Sequence, residues 1–168
     1  MKPCLRKLLK LIALIVSVVL ITVLAVRAYD VHGGPSLQLW HTHVPHEMSR
    51  KEISKADWAT YIAAENAVFD EVKREVTSKL EADVRVPGNR YYIDSPIYPG
   101  HFKQDWNRSY LLEPQGSPRG AVVLLHGLTD APYSLRHIAK LYQQRGYVVV
   151  AIRMPGHGTV PAGLTDVE

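Results

Sequence analysis

Two continuous apolar runs in the second half of the chain indicate buried β-strands. They occupy residues 121–125 and Tyr147–Ile152 and end in the glycine-containing segments 126–127 and 155–158. Between the runs, apolar positions recur every three or four residues, as they do in a helix: Leu135, Ile138, Ala139 and Tyr142. The order strand, loop, helix and strand predicts an α/β fold whose parallel sheet is buried on both faces. A short strand is expected just before it, over residues 109–113.

A third apolar run, near the amino terminus, predicts a membrane-spanning helix. Residues 11–26 carry no charge, and extending the run back to Leu8 across Lys10 gives 19 residues, or roughly 28 Å of helix. That length just spans a bilayer core of about 30 Å when Lys10 reaches the headgroups. We therefore expect residues 8–26 to lie in a lipid bilayer. A cleaved signal peptide ending near Ala28 is the alternative, although its apolar core is usually shorter.

The charges around this run predict its orientation. Five of the 20 basic residues lie within residues 1–27, where no acidic residue occurs, and four of them precede residue 11. The positive-inside rule then places the amino terminus in the cytoplasm and everything after Arg27 outside it, which is the periplasm if the organism is a Gram-negative bacterium. The remaining 15 basic and 16 acidic residues nearly cancel, so the composition indicates no nucleic-acid partner.

Residues 28–53 have no apolar period and are expected to form a linker. Three histidines lie in it, His41, His43 and His46, without a cysteine or carboxylate at ligand spacing, so a solvated loop is favoured over a metal site.

Residues 54–107 predict a helix followed by an irregular aromatic segment. The helix is expected over residues 54–82, capped by Ser54, with a stripe formed by Trp58, Ile62, Phe69, Val72, Val76 and Leu80. In the segment 84–107, the tyrosines either line a substrate entrance or hold the loop on the core: Tyr91, Tyr92 and Tyr98.

Two motifs beside the predicted strands resemble the α/β-hydrolase superfamily, especially bacterial esterases and monoacylglycerol-lipase-like members. The first starts at Leu124, is similar to that family's oxyanion loop, and reads Leu-Leu-His-Gly-Leu-Thr-Asp-Ala-Pro-Tyr-Ser. The second starts at Arg145, is similar to the strand and turn that follow, and reads Arg-Gly-Tyr-Val-Val-Val-Ala-Ile-Arg-Met-Pro-Gly-His-Gly. The resemblance covers residues 108–168 and implies the front part of an α/β-hydrolase sheet.

The resemblance also implies which residues take part in catalysis. The backbone N–H of Leu128 would hold the oxyanion, and His126 and Gly127 would support the loop, with the glycine allowing a tight turn and a close ligand approach. The family's nucleophile elbow, Gly-x-Ser-x-Gly, is not found in the sequence. No nucleophile, acid or base is therefore assigned to this chain.

Four other residues near these motifs are assigned structural parts rather than catalytic ones. Ser134 is expected to cap the helix after the loop. His157 is expected to shape the turn that follows the strand Tyr147–Ile152. Asp130 is expected either to cap that helix or to hold the loop. Gly146 is expected to end the helix in a left-handed conformation.

The family's strand order adds an expectation about the sheet. There, the strand 121–125 lies between Tyr147–Ile152 and the strand that carries the elbow, which this chain lacks. The strand would then be an exposed apolar edge. We expect the isolated chain to associate or to pack loosely as a result.

Together these features predict a membrane-anchored serine hydrolase that acts on carboxylic esters or lipids. The expected organisation is a tail and signal anchor (1–27), a linker (28–53), a helix with an aromatic segment (54–107) and a truncated hydrolase portion (108–168) that is inactive alone. No cofactor or metal is implied, and protein partners are not identified.

Three alternatives to this function stay open. Peptides are a second substrate class, since the scaffold does not determine the reaction. The second alternative is a non-catalytic, membrane-anchored partner-binding protein that uses the helix over residues 54–82. The third is a truncated gene product without a function of its own. A reading frame that continues past codon 168 with a Gly-x-Ser-x-Gly elbow would favour the enzyme.

Overall fold

The computed structural model describes residues 3–165, and it describes side chains from Arg6 onward. The chain divides into two compact units, with the boundary between Leu37 and Gln38. The first unit contains helix α1 (Pro3–Gly33), whose described side chains are all exposed. By length and composition α1 could cross a bilayer, a property that signal sequences share. The predicted span 8–26 lies within it; residues 1–2 and 166–168 of the predicted organisation lie outside the described residues.

The second unit is a mixed α/β fold with a three-stranded sheet. Its helices are α2 (Leu39–Thr42), α3 (Arg50–Ile53), α4 (Trp58–Glu75) and α5 (Arg136–Gln144). Its strands are β1 (Tyr110–Leu112), β2 (Gly120–Leu125) and β3 (Tyr147–Ile152). Short 3₁₀ turns occur at Thr77–Lys79, Ala82–Val84, Pro99–His101, Pro132–Leu135 and Pro161–Thr165. The α/β class is confirmed, whereas three strands do not establish an α/β-hydrolase fold.

The central strand of the sheet is β3. It pairs in parallel with β2, with Val122 opposite Val149, and antiparallel with β1, with Leu111 opposite Val150. Helix α5 covers one face, where Ala139 packs in a core cluster with Tyr110, Val149 and Ala151. The strand-helix-strand connection predicted from the apolar runs is confirmed.

Burial on both faces, which the apolar runs predicted, is wrong for β2. Val123 and Leu125, on the face opposite α5, are 60% and 64% exposed. On the same open face of β3, Val148, Val150 and Ile152 are half-buried, whereas Val149 and Ala151, on the α5 face, are fully buried. Among the described residues, β2 pairs along one edge only, which agrees with the exposed apolar edge expected from the strand order. The physical reason is the layering: the structure describes no element that covers the open face of β2.

Helix α4 is shorter than the sequence predicted. It begins at Trp58 rather than Ser54, because Asp57 caps it by accepting a hydrogen bond from the Thr60 N–H at 2.8 Å. It ends at Glu75, and the 3₁₀ turn Thr77–Lys79 follows. The apolar stripe nevertheless continues through the turn. It forms the second core cluster of the described chain: Val72, Val76, Leu80, Val160 and Ala162.

The start of α5 also differs from the prediction. Ser134 does not cap it, because that residue lies in the 3₁₀ turn Pro132–Leu135 and its hydroxyl donates to the Ala131 carbonyl at 3.3 Å. The end of the helix is as predicted. Gly146 follows α5 with a φ of +89°, in the left-handed region that favours glycine.

The segment expected to be a linker has structure of its own after residue 37. It contains α2 and α3, and Ser49 caps α3 through a reciprocal hydrogen-bond pair with Glu52. Pro45 is fully buried, and Trp40 stacks on Tyr91 with ring centroids 5.3 Å apart. The functional division of the chain stays a prediction, but residues 38–53 belong to the second unit.

Candidate functional site

Two connections leave the same edge of the sheet, where the parallel strands β2 and β3 end. We call residues 126–130 the oxyanion loop, and residues 153–158 the glycine turn. The carboxyl edge of a parallel sheet is where open α/β folds bind ligands. The two connections lie side by side, since the imidazole rings of His126 and His157 are 4.9 Å apart.

His126 joins the two connections through hydrogen bonds at both ring nitrogens. Its side chain is buried, and Nε2 accepts from the Met154 N–H at 3.1 Å. Nδ1 lies 2.9 Å from the Gly127 carbonyl oxygen. Because Nε2 acts as an acceptor, the proton sits on Nδ1, which donates to that carbonyl. Both ring nitrogens are therefore hydrogen-bonded in this geometry, and the loop-supporting part assigned to His126 stays a prediction.

His157 provides the second link. Its Nε2 lies 2.6 Å from the Leu128 carbonyl oxygen, and its Nδ1 lies 2.9 Å from that of Pro155. Both partners are acceptors only, so a neutral imidazole donates to one of them and an imidazolium to both. The contact holds the Leu128 carbonyl, which belongs to the peptide group between Leu128 and Thr129.

The backbone N–H of Leu128 belongs to the amide that contains the Gly127 carbonyl. The Leu128 side chain is 83% exposed. Within residues 3–165 no acceptor hydrogen-bonds to this N–H. The Gly127 carbonyl accepts from His126 Nδ1 at 2.9 Å and from the Asp130 N–H at 3.1 Å, and an amide with a held carbonyl and a free N–H has the form of an oxyanion donor. Its assignment to catalysis stays a prediction.

The requirement for glycine lies elsewhere than the sequence suggested. Gly127 does not have a positive φ, and a Cβ there would meet nothing within 4 Å. A tight left-handed turn is therefore not the reason for this glycine, although the open space beside it leaves room for a ligand. Gly156 and Gly158 do have positive φ, +78° and +73°, and a Cβ would lie 2.5 Å and 2.7 Å from backbone oxygens of Gly163 and Asn107.

Asp130 closes the oxyanion loop. Its carboxylate accepts from the Ala131 N–H at 2.8 Å. A hydrogen bond from the Ser134 hydroxyl, together with that backbone amide, lowers the pKa of Asp130 below its ordinary value. Of the two functions that the sequence left open, these contacts fit holding the loop, since neither the 3₁₀ turn before α5 nor α5 itself has a side-chain cap hydrogen bond.

A cavity of about 360 Å³ lies against both connections. Its lining includes Thr129, Asp130, Tyr133, His157, Tyr91 and Leu164. Tyr91 also donates to the Thr159 carbonyl at 3.2 Å, and burial raises the pKa of its phenol. Of the two interpretations of the aromatic segment, Tyr91 satisfies both: it lines the cavity and it holds the loop on the core. Tyr98 lines a separate cavity of about 230 Å³ beside Phe69.

A buried ionic network behind the glycine turn was not predicted from the sequence. Arg153 is 1% exposed, and its Nη1 and Nη2 donate to the two oxygens of Glu47 at 2.7 and 2.8 Å. Its Nε donates to Glu65 at 3.2 Å. Burial acts to lower the pKa of Arg153, but the hydrogen bonds and charge of Glu47 and the charge of Glu65 outweigh it, and the pKa is raised.

The network also joins α4 to the start of β1. Glu65 accepts from the Ser109 hydroxyl at 2.6 Å and from the Ser109 N–H at 2.9 Å. The Arg153 N–H donates to the same hydroxyl at 2.8 Å, and the Tyr61 hydroxyl donates to the Arg153 carbonyl. One signal was present in the sequence: Glu65 lies three residues after Ile62 and four before Phe69, which places it on the buried stripe.

The three histidines of residues 38–53 do not converge on one point. His43 Nε2 and His46 Nδ1 lie 3.0 and 2.9 Å from Glu71 Oε1, whereas His41 Nε2 accepts from the Trp40 indole at 3.0 Å. Within residues 3–165 no group of three or more His, Cys, Asp or Glu side chains is arranged to hold a metal ion. Glu71, which both His43 and His46 contact, is buried.

No nucleophile is evident in this arrangement. The hydrogen-bonding partners of the Ser134 side chain in the described chain are the Ala131 carbonyl and Asp130, and neither is a general base aimed at an attacking oxygen. The side chain of Ser109 is held by Glu65 inside the network.

A stretch of 38 residues, 23% of this chain, is 47% identical to part of a thermostable monoacylglycerol lipase from Bacillus sp. (strain H-257). The match spans 15% of that lipase's length. No protein-family model matches the chain, and no solved structure matches it. The match indicates a hydrolase-like relationship over that stretch. The activity itself is a property of the lipase.

Proposed function

We propose that the chain supplies the oxyanion side of an ester-hydrolysing active site in a membrane-anchored serine hydrolase. One observation carries the proposal: the free N–H of Leu128 at the end of a parallel strand, in an amide whose Gly127 carbonyl is held by His126 and Asp130. The cavity of about 360 Å³, which the next residues Thr129 and Asp130 line, gives a substrate a place near that amide. The match to a lipase supports ester hydrolysis as the reaction.

In the proposed reaction, a serine oxygen attacks the ester carbonyl carbon as a base takes its proton. The carbonyl oxygen becomes an oxyanion and accepts a hydrogen bond from the Leu128 N–H. The C–O bond to the alcohol then breaks, the alcohol leaves with the proton, and water releases the acid from the acyl-serine. The proposal assigns no serine, acid or base within this chain. A single preorganised donor of this kind is worth roughly 3 kcal/mol of transition-state stabilisation.

The proposed substrates are carboxylic esters, with monoacylglycerols as the favoured class and peptides as the alternative. The membrane anchor is proposed to be α1, with the amino terminus in the cytoplasm and the second unit outside it. Fusion of alkaline phosphatase after Leu37 should then be active, and a cytoplasm-dependent reporter at that junction inactive. A mature amino terminus near Tyr29 would replace the anchor by a cleaved signal.

The reaction is tested by a chimera. In the Bacillus lipase, the segment that corresponds to residues 120–158 of this chain is replaced by those residues, and hydrolysis of a monoacylglycerol and of p-nitrophenyl esters is measured. We expect the chimera to remain active. Gly127→Val should then lower turnover by about 2–3 kcal/mol, roughly a hundredfold, because its side chain fills the open space beside the amide.

Two outcomes would contradict the proposal. One is a folded chimera without hydrolysis. The other is unchanged turnover in a folded Gly127→Val chimera, which would remove the catalytic assignment from this loop. A chimera with Gly127→Ala is the matched control, because its small side chain reaches less far into the same space.

A partner-binding function is the second candidate, favoured by the exposed apolar edge of β2. The version that uses α4 is disfavoured, since its apolar stripe is buried at Val68 and Val72. Labelling of the full chain with a fluorophosphonate probe bears on both candidates. We expect none, and stoichiometric labelling of a serine would show that this chain carries a nucleophile itself.

A further inference from the structure

The glycine turn is held in place by a residue far away in the sequence. Glu47 lies just before α3, and its carboxylate is 8% exposed. It accepts three hydrogen bonds: two from the guanidinium of Arg153 and one from the Gly156 N–H at 2.9 Å. Its carboxylate therefore binds both the start and the middle of the glycine turn.

The glycine turn holds the oxyanion loop at two points. His157 contacts the Leu128 carbonyl at 2.6 Å, and the Met154 N–H donates to His126 at 3.1 Å. Arg153 Nη1 also donates to the His157 carbonyl at 3.0 Å. Two paths therefore lead from Glu47 through the glycine turn to Leu128. One runs through Met154 and His126 to the Gly127 carbonyl, in the amide that carries the Leu128 N–H. The other runs through His157 to the Leu128 carbonyl.

On these grounds we infer that Glu47 is a positioning residue for the Leu128 amide. It acts through Arg153, Gly156 and His157 and touches no reacting atom. The catalytic importance of this position rests on the proposed function. The structural link between Glu47 and Leu128 rests on the contacts alone. It also gives residues 38–53 a task that the sequence did not suggest, since they were expected to form a linker.

Glu47→Gln tests the coupling with little change in shape. A carboxylate accepts from donors on both sides, whereas an amide has one acceptor oxygen and an NH₂ group. At least one of the three N–H donors that face Glu47 then meets another donor. The turn should shift or become mobile, and His157 should transmit the change to the oxyanion loop.

The matched control is Glu71→Gln. Glu71 is also a buried carboxylate that fastens the same segment, through the His46 N–H at 3.1 Å and the His46 ring, but none of its described contacts reaches the glycine turn. A role limited to holding residues 38–47 on the core would make both variants alike. Positioning of the loop would make them differ.

The measurement is ¹H–¹⁵N correlation spectroscopy of the full chain in detergent micelles, with long-range spectra of the imidazole nitrogens. In Glu47→Gln we expect the amide signals of Leu128 and Thr129 and the ring signals of His157 to move, with those of Ala139 unchanged. In Glu71→Gln the Leu128 and His157 signals should stay in place.

Unmoved Leu128 and His157 signals in a folded Glu47→Gln would overturn the inference, as would equal movement in both variants. If Glu47→Gln fails to fold, Glu47→Asp retains the charge and shortens the side chain, and the same signals decide. The chimera, which carries residues 120–158, does not contain Glu47 and measures hydrolysis. The spectra measure the geometry of the loop in the full chain. Failure of one is therefore distinguishable from failure of the other.

Discussion

The oxyanion loop and the glycine turn both follow an apolar parallel strand and both combine histidine with glycine, yet the structure supports them very differently. The turn follows the central strand β3 and rests on the buried Arg153. The loop follows β2, whose Val123 and Leu125 are exposed. The turn needs its glycines, while Gly127 has open space around it. The candidate catalytic amide therefore lies in the less supported connection, the oxyanion loop. Its position depends on hydrogen bonds from the glycine turn.

The largest expected effect comes from removing the cation under the glycine turn. Arg153→Met leaves Glu47 and Glu65 buried without their partner, and breaking a buried ion pair in this way costs about 3–5 kcal/mol. Urea unfolding of the full chain in micelles, followed by circular dichroism, measures the loss. Arg74→Met is the control, because the side chain of Arg74 is 65% exposed in its pair with Glu75. Equal stability of the two variants would contradict the supporting part assigned to the network.

The glycines give the next contrast. Gly156→Ala puts a Cβ into a left-handed backbone position and 2.5 Å from the Gly163 carbonyl oxygen, at a cost of about 2 kcal/mol or more. Gly127→Ala should change the unfolding free energy by no more than about 0.5 kcal/mol. The same urea titration measures both. A destabilised Gly127→Ala would show that the loop is as constrained as the turn.

The strands are compared by changing one valine in each. Val149→Ala, in the fully buried centre of β3, should cost about 2 kcal/mol. Val123→Lys, on the open face of β2, should leave stability nearly unchanged and reduce self-association, because a charge disfavours edge pairing. Analytical ultracentrifugation measures the association. If Val123→Lys unfolds the chain, the open face is covered in the native protein.

The smallest effect concerns acid stability at the start of the second unit. Burial would raise the pKa of Glu71, but the backbone amide and ring of His46, with His43 nearby, outweigh it and hold the pKa below 4.5. Because the folded pKa is depressed, this stabilisation is present above about pH 4.5 and is lost as pH falls through the folded pKa. Glu71→Gln should therefore flatten the loss of stability below pH 4.5. The exposed Glu81→Gln serves as control, and an identical pH profile in both variants would argue against the clamp.

Local sequence determined the secondary structure near the candidate site. A run of apolar residues needs burial, and a left-handed helix end needs a glycine, so β3 and the stop at Gly146 follow from short stretches alone. The length and lack of charge in residues 11–26 likewise predict α1. Helix boundaries were less predictable, since Asp57 and not Ser54 supplies the first cap.

Tertiary structure alone decided what the charged residues do. Nothing within a few residues of Glu47 indicates that it meets Arg153, because the two are brought together by packing between α4, β1 and the glycine turn. The sequence suggested that Gly127 is the constrained glycine, and the contacts show that Gly156 and Gly158 are. A pattern along the chain records which residues avoid water, whereas a buried salt bridge or a close backbone approach depends on which distant segments meet. For this protein, the strands and the apolar helix α1 were determined locally, and the support of the candidate oxyanion amide was determined by the fold.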